Sequence, residues 1–349
     1  MWNPPADLRQ RWVDEEFRLE HVAMDALREG RLDRAGLGQH EGRIDMRAFD
    51  TPPSHAESRA ARDGRKGILD ILKRTGRDGW ITLRNGRLES VDFTHARLPG
   101  LTFQKVTFVD CLFDRGDLDN TKFGACRFER CSFARAELSV VSLGQVGGPL
   151  ERPLSSQFIE CRFANATLGF TVSWASEFTR CDFSRTRFRD TRWYGSRFVD
   201  CTFAGEIKGS EFRSAYPSAR MQQRPEMLDG VDLSRTSLVE CEFYGLNFAD
   251  TVFPRDNNHL VVEDFRCFVE RAIALLADHK TKAGEYTLHS MTRERGRLGP
   301  AQRRGVLNLS DVVDPWPAEG QLELAAAFDQ ALADCGQPGS VASRLDRPH

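Results

Sequence analysis

Residues 101–138 read LTFQKVTFVDCLFDRGDLDNTKFGACRFERCSFARAEL. A large apolar residue stands at every fifth position: Phe103, Phe108, Phe113, Leu118, Phe123, Phe128, Phe133 and Leu138. Two residues before these centres lies a second constrained slot, holding Val106, Cys111, Thr121, Cys126, Cys131 and Ala136, and the intervening positions are mostly polar. A period of five suits neither regular element. On a helix it advances the side chain by about 140° per repeat, scattering the apolar residues. On a strand an odd spacing throws successive centres onto opposite faces. The chain must therefore turn a corner every five residues, with each centre pointing inward and successive coils pairing backbone to backbone.

Outward from this stretch the frame runs back to Leu83 and forward to Leu143. It resumes at Phe158, Phe163 and Leu168, skips at Ser173, reaches Phe203, and has a last run from Leu228 to Phe253. The motifs FVDCLF, FIECRF, FTRCDF, FVDCTF and LVECEF resemble the pentapeptide-repeat family, whose unit is close to A(D/N)LXX. The resemblance implies an all-β solenoid over residues 78–255, a right-handed quadrilateral parallel β-helix with four pentapeptides per coil. Roughly seven to nine coils, stacked about 4.8 Å apart, are expected.

Two stretches break the pattern. Residues 144–157, with Gly147, Gly148 and two prolines, predict a loop. After Phe203, Ile207 and Phe212 run one position out of frame, and residues 213–227 predict a second projecting loop bearing Arg213, Arg220 and Arg224. Residues 1–77 divide into a helix with the stripe Leu8, Trp12, Leu19, Val22 and Ala26, a flexible linker over 31–62, and a capping helix over 65–75. Residues 256–349 hold a helix striped by Val261, Phe265, Phe268, Ala272 and Leu275, which reads as a cap or as a pairing surface between two chains. A second helix spans about 319–334, ahead of a disordered tail. The arginine-rich 293–304 between the helices is either a solvated or disordered stretch or a contact for an anionic partner.

A net charge of −2 compels neither a nucleic-acid nor a membrane partner, and no apolar run approaches the ~18 residues of a span. The N-terminal MWNPPADLRQRW lacks a secretory pattern, so a cytoplasmic location with nine reduced cysteines is expected. Seven cysteines occupy the small inward slot, and Cys161, Cys181 and Cys201 fall in one column, where they behave as small hydrophobes. Cys267 and Cys335 are the two expected to react. No CxxC or HxxxH pair and no phosphate-cradling loop is present. No catalytic residue, metal or cofactor is assigned, and the chain reads as a non-enzyme.

Partner-binding candidates come from the exposed charges. With the frame carried through both breaks, the face centred on Leu98, Leu118, Leu138, Phe158, Phe178, Phe198 and Leu238 carries Asp117, Asp119, Glu137, Glu160, Glu177, Asp200 and Glu240. Another face collects Arg84, Lys105, Lys122, Arg162 and Arg185. The reading is a rigid scaffold, monomer or homodimer, that binds a protein partner without membrane or direct nucleic-acid contact. The resemblance implies an alternative. Family members protect type II topoisomerases, DNA gyrase or topoisomerase IV, from quinolones or toxins, by mimicking a DNA duplex or through projecting loops. The Phe- and Cys-rich coil is similar to that branch; the near-neutral tube and long C-terminal region depart from it.

Overall fold

The computed structural model describes residues 4–13, 18–50, 82–144, 153–215, 222–300, 302–337 and 339–345. From Thr82 to Phe253 the chain winds into a four-walled tube of parallel strands. Leu83 lies on Phe103 and Phe123, and Leu88 on Phe108 and Phe128, so one turn is four five-residue sides. The longest wall stacks eight strands, from Thr82–Arg84 to Glu242–Tyr244. The walls are numbered 1 to 4 by their first centres, Leu83, Leu88, Phe93 and Leu98.

The corners have one backbone device. Two residues past each centre the chain enters the left-handed region, with φ between 50° and 60° at Lys105, Asp110, Arg115, Asn120, Ala125, Arg130, Arg135 and Val140. Such a residue normally destabilises, but here its N–H still pairs with the next turn, as Asp110 does with the Glu129 carbonyl at 3.0 Å.

The interior explains the preference for phenylalanine. Parallel strands repeat at about 4.8 Å, which is also a comfortable separation for offset-stacked rings. Phe108, Phe128, Phe158 and Phe178 stack at 4.6–4.8 Å with interplanar angles of 2–7°. A second column, Phe113, Phe133, Phe163 and Phe183, stacks at 4.8–4.9 Å. The columns meet edge to face, as at Phe128 and Phe133. The small slot favours a short donor. Thr121 Oγ1 donates to the Leu98 carbonyl at 2.9 Å and Ser176 Oγ to that of Leu143 at 2.8 Å; the Cys181 and Cys201 thiols repeat the contact at 3.3 Å.

The breaks are smaller than expected and act on the register. Phe128 pairs with Phe158 and Leu143 with Ser173, steps of thirty residues where twenty is the rule. Ten extra residues are two sides of the square. Residues 154 and 156 already belong to the tube: Ala125 N–H donates to the Leu154 carbonyl and Cys126 N–H to Ser156 Oγ. Trp193 pairs with Phe212, a nineteen-residue step that accounts for the out-of-frame Ile207 and Phe212. Arg213 closes the strand Glu211–Arg213, and Met227 is buried, so the second loop is also shorter than 213–227.

Both ends are covered. Helices α1 (Ala6–Val13) and α2 (Arg18–Arg28) bring Trp12, Met24 and Leu27 into one core with the first turn. The linker expectation fails over its first half. Ile44 and Asp45 pair in parallel with Val91 and Asp92, and Met46 and Phe49 are fully buried, because the first turn needs an apolar lid and a partner for its edge. The proposed capping helix 65–75 lies outside the described residues. At the other end α3 (Phe265–Leu276), α4 (Lys282–Arg297) and α5 (Ala318–Asp334) form a separate core. Side chains dock it on the open edge: His259 Nε2 accepts from Leu238 N–H at 3.0 Å, and Asn308 Nδ2 donates to the Leu238 carbonyl at 2.6 Å. Asp311 accepts from Glu240 N–H at 2.7 Å, and Arg304 donates to the Thr251 carbonyl at 2.9 Å. The apolar side of α3 is spent inside this unit, which caps the tube.

Two further expectations are corrected. The stretch 293–304 is not a solvated or disordered stretch throughout: it ends α4, and Arg297 pairs with Glu242 and Glu294 while Arg304 pairs with Glu263 at 2.8 Å. Cys267 and Cys335 are not free thiols but a disulfide joining the start of α3 to the end of α5.

Candidate interaction surface

The ten-residue insertion divides the acidic stripe. Asp117, Asp119, Glu137 and Glu240 lie on or at the edge of wall 4, whose centres run Leu118, Leu138, Leu168, Phe188, Ile207 and Leu238. Glu160, Glu177 and Asp200 belong to wall 2, on the opposite side of the tube. Arginines offset several of them: Arg97 lies 3.4 Å from Asp117, Arg180 2.8 Å from Glu160, and Arg224 3.1 Å from Glu177. The basic set divides likewise, with Arg84, Lys105 and Lys122 on wall 1 and Arg162 and Arg185 on wall 3.

Asp119 is the strained member. Burial first, and the neighbouring Asp117 second, raise its carboxyl from 3.8 to about 6. The folded chain thus holds this proton more tightly than the unfolded chain, and ionisation opposes folding as pH rises from about 4 through 6. Asp119→Asn, which can still accept from Ser139 N–H, is expected to stabilise by about 1 kcal/mol at neutral pH after solvent screening. Urea unfolding at two pH values checks it: the gain should vanish near pH 4, and a pH-independent gain would contradict the assignment.

The cysteine column extends beyond the three expected members to Cys111, Cys131, Cys161, Cys181 and Cys201, all buried. Burial pushes the Cys126 thiol up to about 12, and burial with its neighbouring thiols holds Cys161 well above the ordinary range. Because Cys111, Cys126, Cys131, Cys161, Cys181 and Cys201 are all buried, a maleimide reagent should reach them slowly in the folded protein, whichever of the neighbouring thiols holds the proton, and should leave Cys267 and Cys335 unmodified until a reductant is added. Rapid labelling of Cys161 or Cys181 in the native state would contradict the inward slot.

Wall 1 carries the surface that the sequence reading passed over. Its outward residues form rows: Val140 and Ser142; Phe170, Val172 and Trp174; Asp190, Arg192 and Tyr194; Glu211 and Arg213; Glu242 and Tyr244. Trp174 and Tyr194 pack with ring centroids 4.9 Å apart. The Arg213 guanidinium lies 3.7 Å over the Tyr244 ring and pairs with Glu211 at 2.7 Å, and Arg297 approaches Tyr244 from α4. Arg213, Tyr244, Arg297, Gln223, Asn247 and Gln302 line a cleft of about 330 Å³ between wall 1 and the C-terminal unit. Of the three predicted loop arginines, Arg213 is thus part of wall 1 and Arg224 ties back to Ser214 and Glu177. Arg220 lies outside the described residues. The wall 1 strands Ser142–Leu143 and Glu211–Arg213 stand just before the two breaks in the repeat. Three turns separate them, about 14 Å along the tube.

Among the described residues no group of His, Cys, Asp or Glu is placed to hold a metal ion, and no helix is long and apolar enough to cross a membrane.

No family model and no curated protein matches the chain. Among solved structures it is similar to full-length QnrB1, a plasmid-mediated fluoroquinolone resistance protein, at 19% identity over 51% of this chain and 94% of that one, with a TM-score of 0.19. HetL, a pentapeptide repeat protein involved in heterocyst differentiation regulation from the cyanobacterium Nostoc sp. strain PCC 7120, matches at 13% identity over 54% and 94%, TM-score 0.16. Rfr23, a pentapeptide repeat protein from the cyanobacterium Cyanothece 51142, matches at 12% identity over 54% and 99%, TM-score 0.13. The coil is a pentapeptide-repeat solenoid, a class that rests on its own period, corners and stacking.

Proposed function

We propose that this protein is a non-catalytic, rigid protein-binding scaffold whose working surface is wall 1. The observation that carries the reading is the outward row Phe170, Val172 and Trp174, held over a solid interior of stacked rings. Side chains fill the tube, so a partner meets its walls. The test is a photo-crosslinking residue placed at Trp174 or, as control, at Arg135 on wall 3, in the full chain exposed to host extract. A defined protein adduct from position 174 and none from 135 is expected; equal or absent adducts would overturn the reading.

The DNA-mimic form of the topoisomerase alternative required a continuous acidic stripe, and its seven carboxylates stand on two opposite walls, whereas the projecting-loop form does not depend on that stripe. Gyrase supercoiling, with or without a quinolone, is expected to be indifferent to micromolar protein. A change in supercoiling or drug sensitivity would reinstate that alternative.

A further inference from the structure

We propose that the Cys267–Cys335 disulfide is a redox-sensitive latch: closed, it keeps the C-terminal unit docked on the end of the coil, and its reduction releases that docking. The latch works through one short strand. His259–Val262 pairs antiparallel with Gly305–Asn308. From these two strands come the imidazole of His259 and the carboxamide of Asn308, which hold the N–H and the carbonyl of Leu238 on the last edge of wall 4. Two side chains thus take the place of a further coil turn and close an edge that would otherwise stand open.

The segment that follows Cys335 clasps this docking strand. Gly336, at φ 72°, ends α5 with its N–H on the Ala333 carbonyl, and the Gln337 N–H returns to the Leu332 carbonyl at 2.9 Å. Turned back in this way, Gln337 donates from Nε2 to the Val261 carbonyl at 2.9 Å and accepts from Glu263 N–H at 2.8 Å. Farther along, Arg344 Nη1 donates to the carbonyls of His259 at 2.8 Å and Asp256 at 3.2 Å. Between the two, Val341 is fully buried. Cys267, in the first turn of α3 just past the strand, is bonded to the residue from which the clasp begins.

Among the described residues this is the only disulfide, and both its cysteines are half-buried, within reach of a small dithiol. A dithiol thiolate attacks Cys335 Sγ, the S–S bond breaks, and Cys267 leaves as a thiolate in the first turn of α3, where the helix dipole favours negative charge. The reagent's second thiol then displaces Cys335 and closes the reagent's own disulfide. Two electrons and two protons pass to the protein. With the tether gone, the clasp keeps only the bonds of Gln337 and Arg344, and a local redox change reaches the docking strand. Undocking also frees the end of wall 1, where Gly245 N–H donates to the Arg297 carbonyl at 2.8 Å across the same boundary. On the scaffold reading reduction therefore enlarges the surface open to a partner, but the latch itself does not depend on that reading.

Hydrogen exchange of the full chain, read by mass spectrometry well below the melting of the unit, tests the latch before and after dithiothreitol. The Leu238 and Glu240 amides, which donate to His259 and Asp311, should exchange at least about tenfold faster after reduction. The coil amides of Phe133 and Phe163 should keep their protection, the helical circular-dichroism signal should persist, and reoxidation should restore the original rate. Gln337→Ala/Arg344→Ala, with the disulfide intact, should open the same edge. Unchanged exchange at Leu238 and Glu240 after reduction would overturn the proposal. So would an edge that stays closed in the Gln337→Ala/Arg344→Ala protein, or a helical signal lost on reduction, which would make the bond a structural staple of the unit alone. None of these outcomes bears on adducts formed at position 174, so the latch and the scaffold reading fail separately.

Discussion

Phe183→Ala is expected to lower the free energy of unfolding by about 3–5 kcal/mol, the upper range for truncating a core side chain. The ring has no exposure, stacks between Phe163 and Phe203 at 4.8 and 5.0 Å, and meets Phe178 and Phe198 edge-on. The cavity has little chance to close. The backbone around it is held turn to turn, with Phe163 N–H on the Asp182 carbonyl at 2.7 Å and Asp182 N–H on that of Cys161 at 2.9 Å. Walls fixed at strand spacing cannot collapse inward as a helical core does, so the transfer and cavity terms both persist. Urea unfolding followed by circular dichroism checks it; an unchanged midpoint would mean that Phe183 faces outward.

The second large effect concerns the C-terminal unit. Cys267 and Cys335 are 68 residues apart in sequence, and their bond closes most of the helical unit into one loop. Restricting so long a loop in the unfolded chain stabilises by about 2–4 kcal/mol. Cys267→Ser and treatment of the wild type with a phosphine reductant should lower the melting of this unit by the same amount, and the two should not add. Calorimetry resolves the comparison, because the unit has a core separate from the coil's. A reductant without effect would show that the two thiols are not joined in solution.

Why the coil was legible and the working surface was not comes down to arithmetic on five and twenty. Each centre announces itself locally: Phe103 through Leu138 need only the next corner to be inferred. Which wall a centre occupies depends on counting sides across every break. The first insertion adds ten residues, a multiple of five, so Phe158 looks in frame while the walls have advanced by two. Glu137 and Glu160 thereby seemed to share a face when they stand on opposite ones. The nineteen-residue step to Phe212 does the reverse, spoiling the frame in the sequence while leaving Trp193 and Phe212 on the same wall. Trp174 and Tyr194 stand one regular twenty-residue turn apart, but Tyr244 joins their wall only through the nineteen-residue step to Phe212 and the thirty-one-residue step from there to Phe243. At the N-terminus Met46 and Phe49 belong to a single partial turn, too short to show a period at all. Cys267 and Cys335 pair through the packing of α3 against α5, which no local spacing reports.

The wall assignment after the first insertion underlies the divided stripe and the outward row of wall 1. It is tested most directly by spin labels on two pairs of outward-facing positions, Glu137 with Thr167 and Glu137 with Gln157. Glu137 bridges directly to Thr167 in the adjacent turn, whereas Gln157 lies on wall 2, across the tube. The doubly labelled Glu137→Cys/Thr167→Cys protein should show strong dipolar broadening, as side chains about 5 Å apart require, and Glu137→Cys/Gln157→Cys should show little. Strong broadening in the 137/157 pair and none in the 137/167 pair would restore the uninterrupted frame, reunite the acidic residues on one face, and contradict this account.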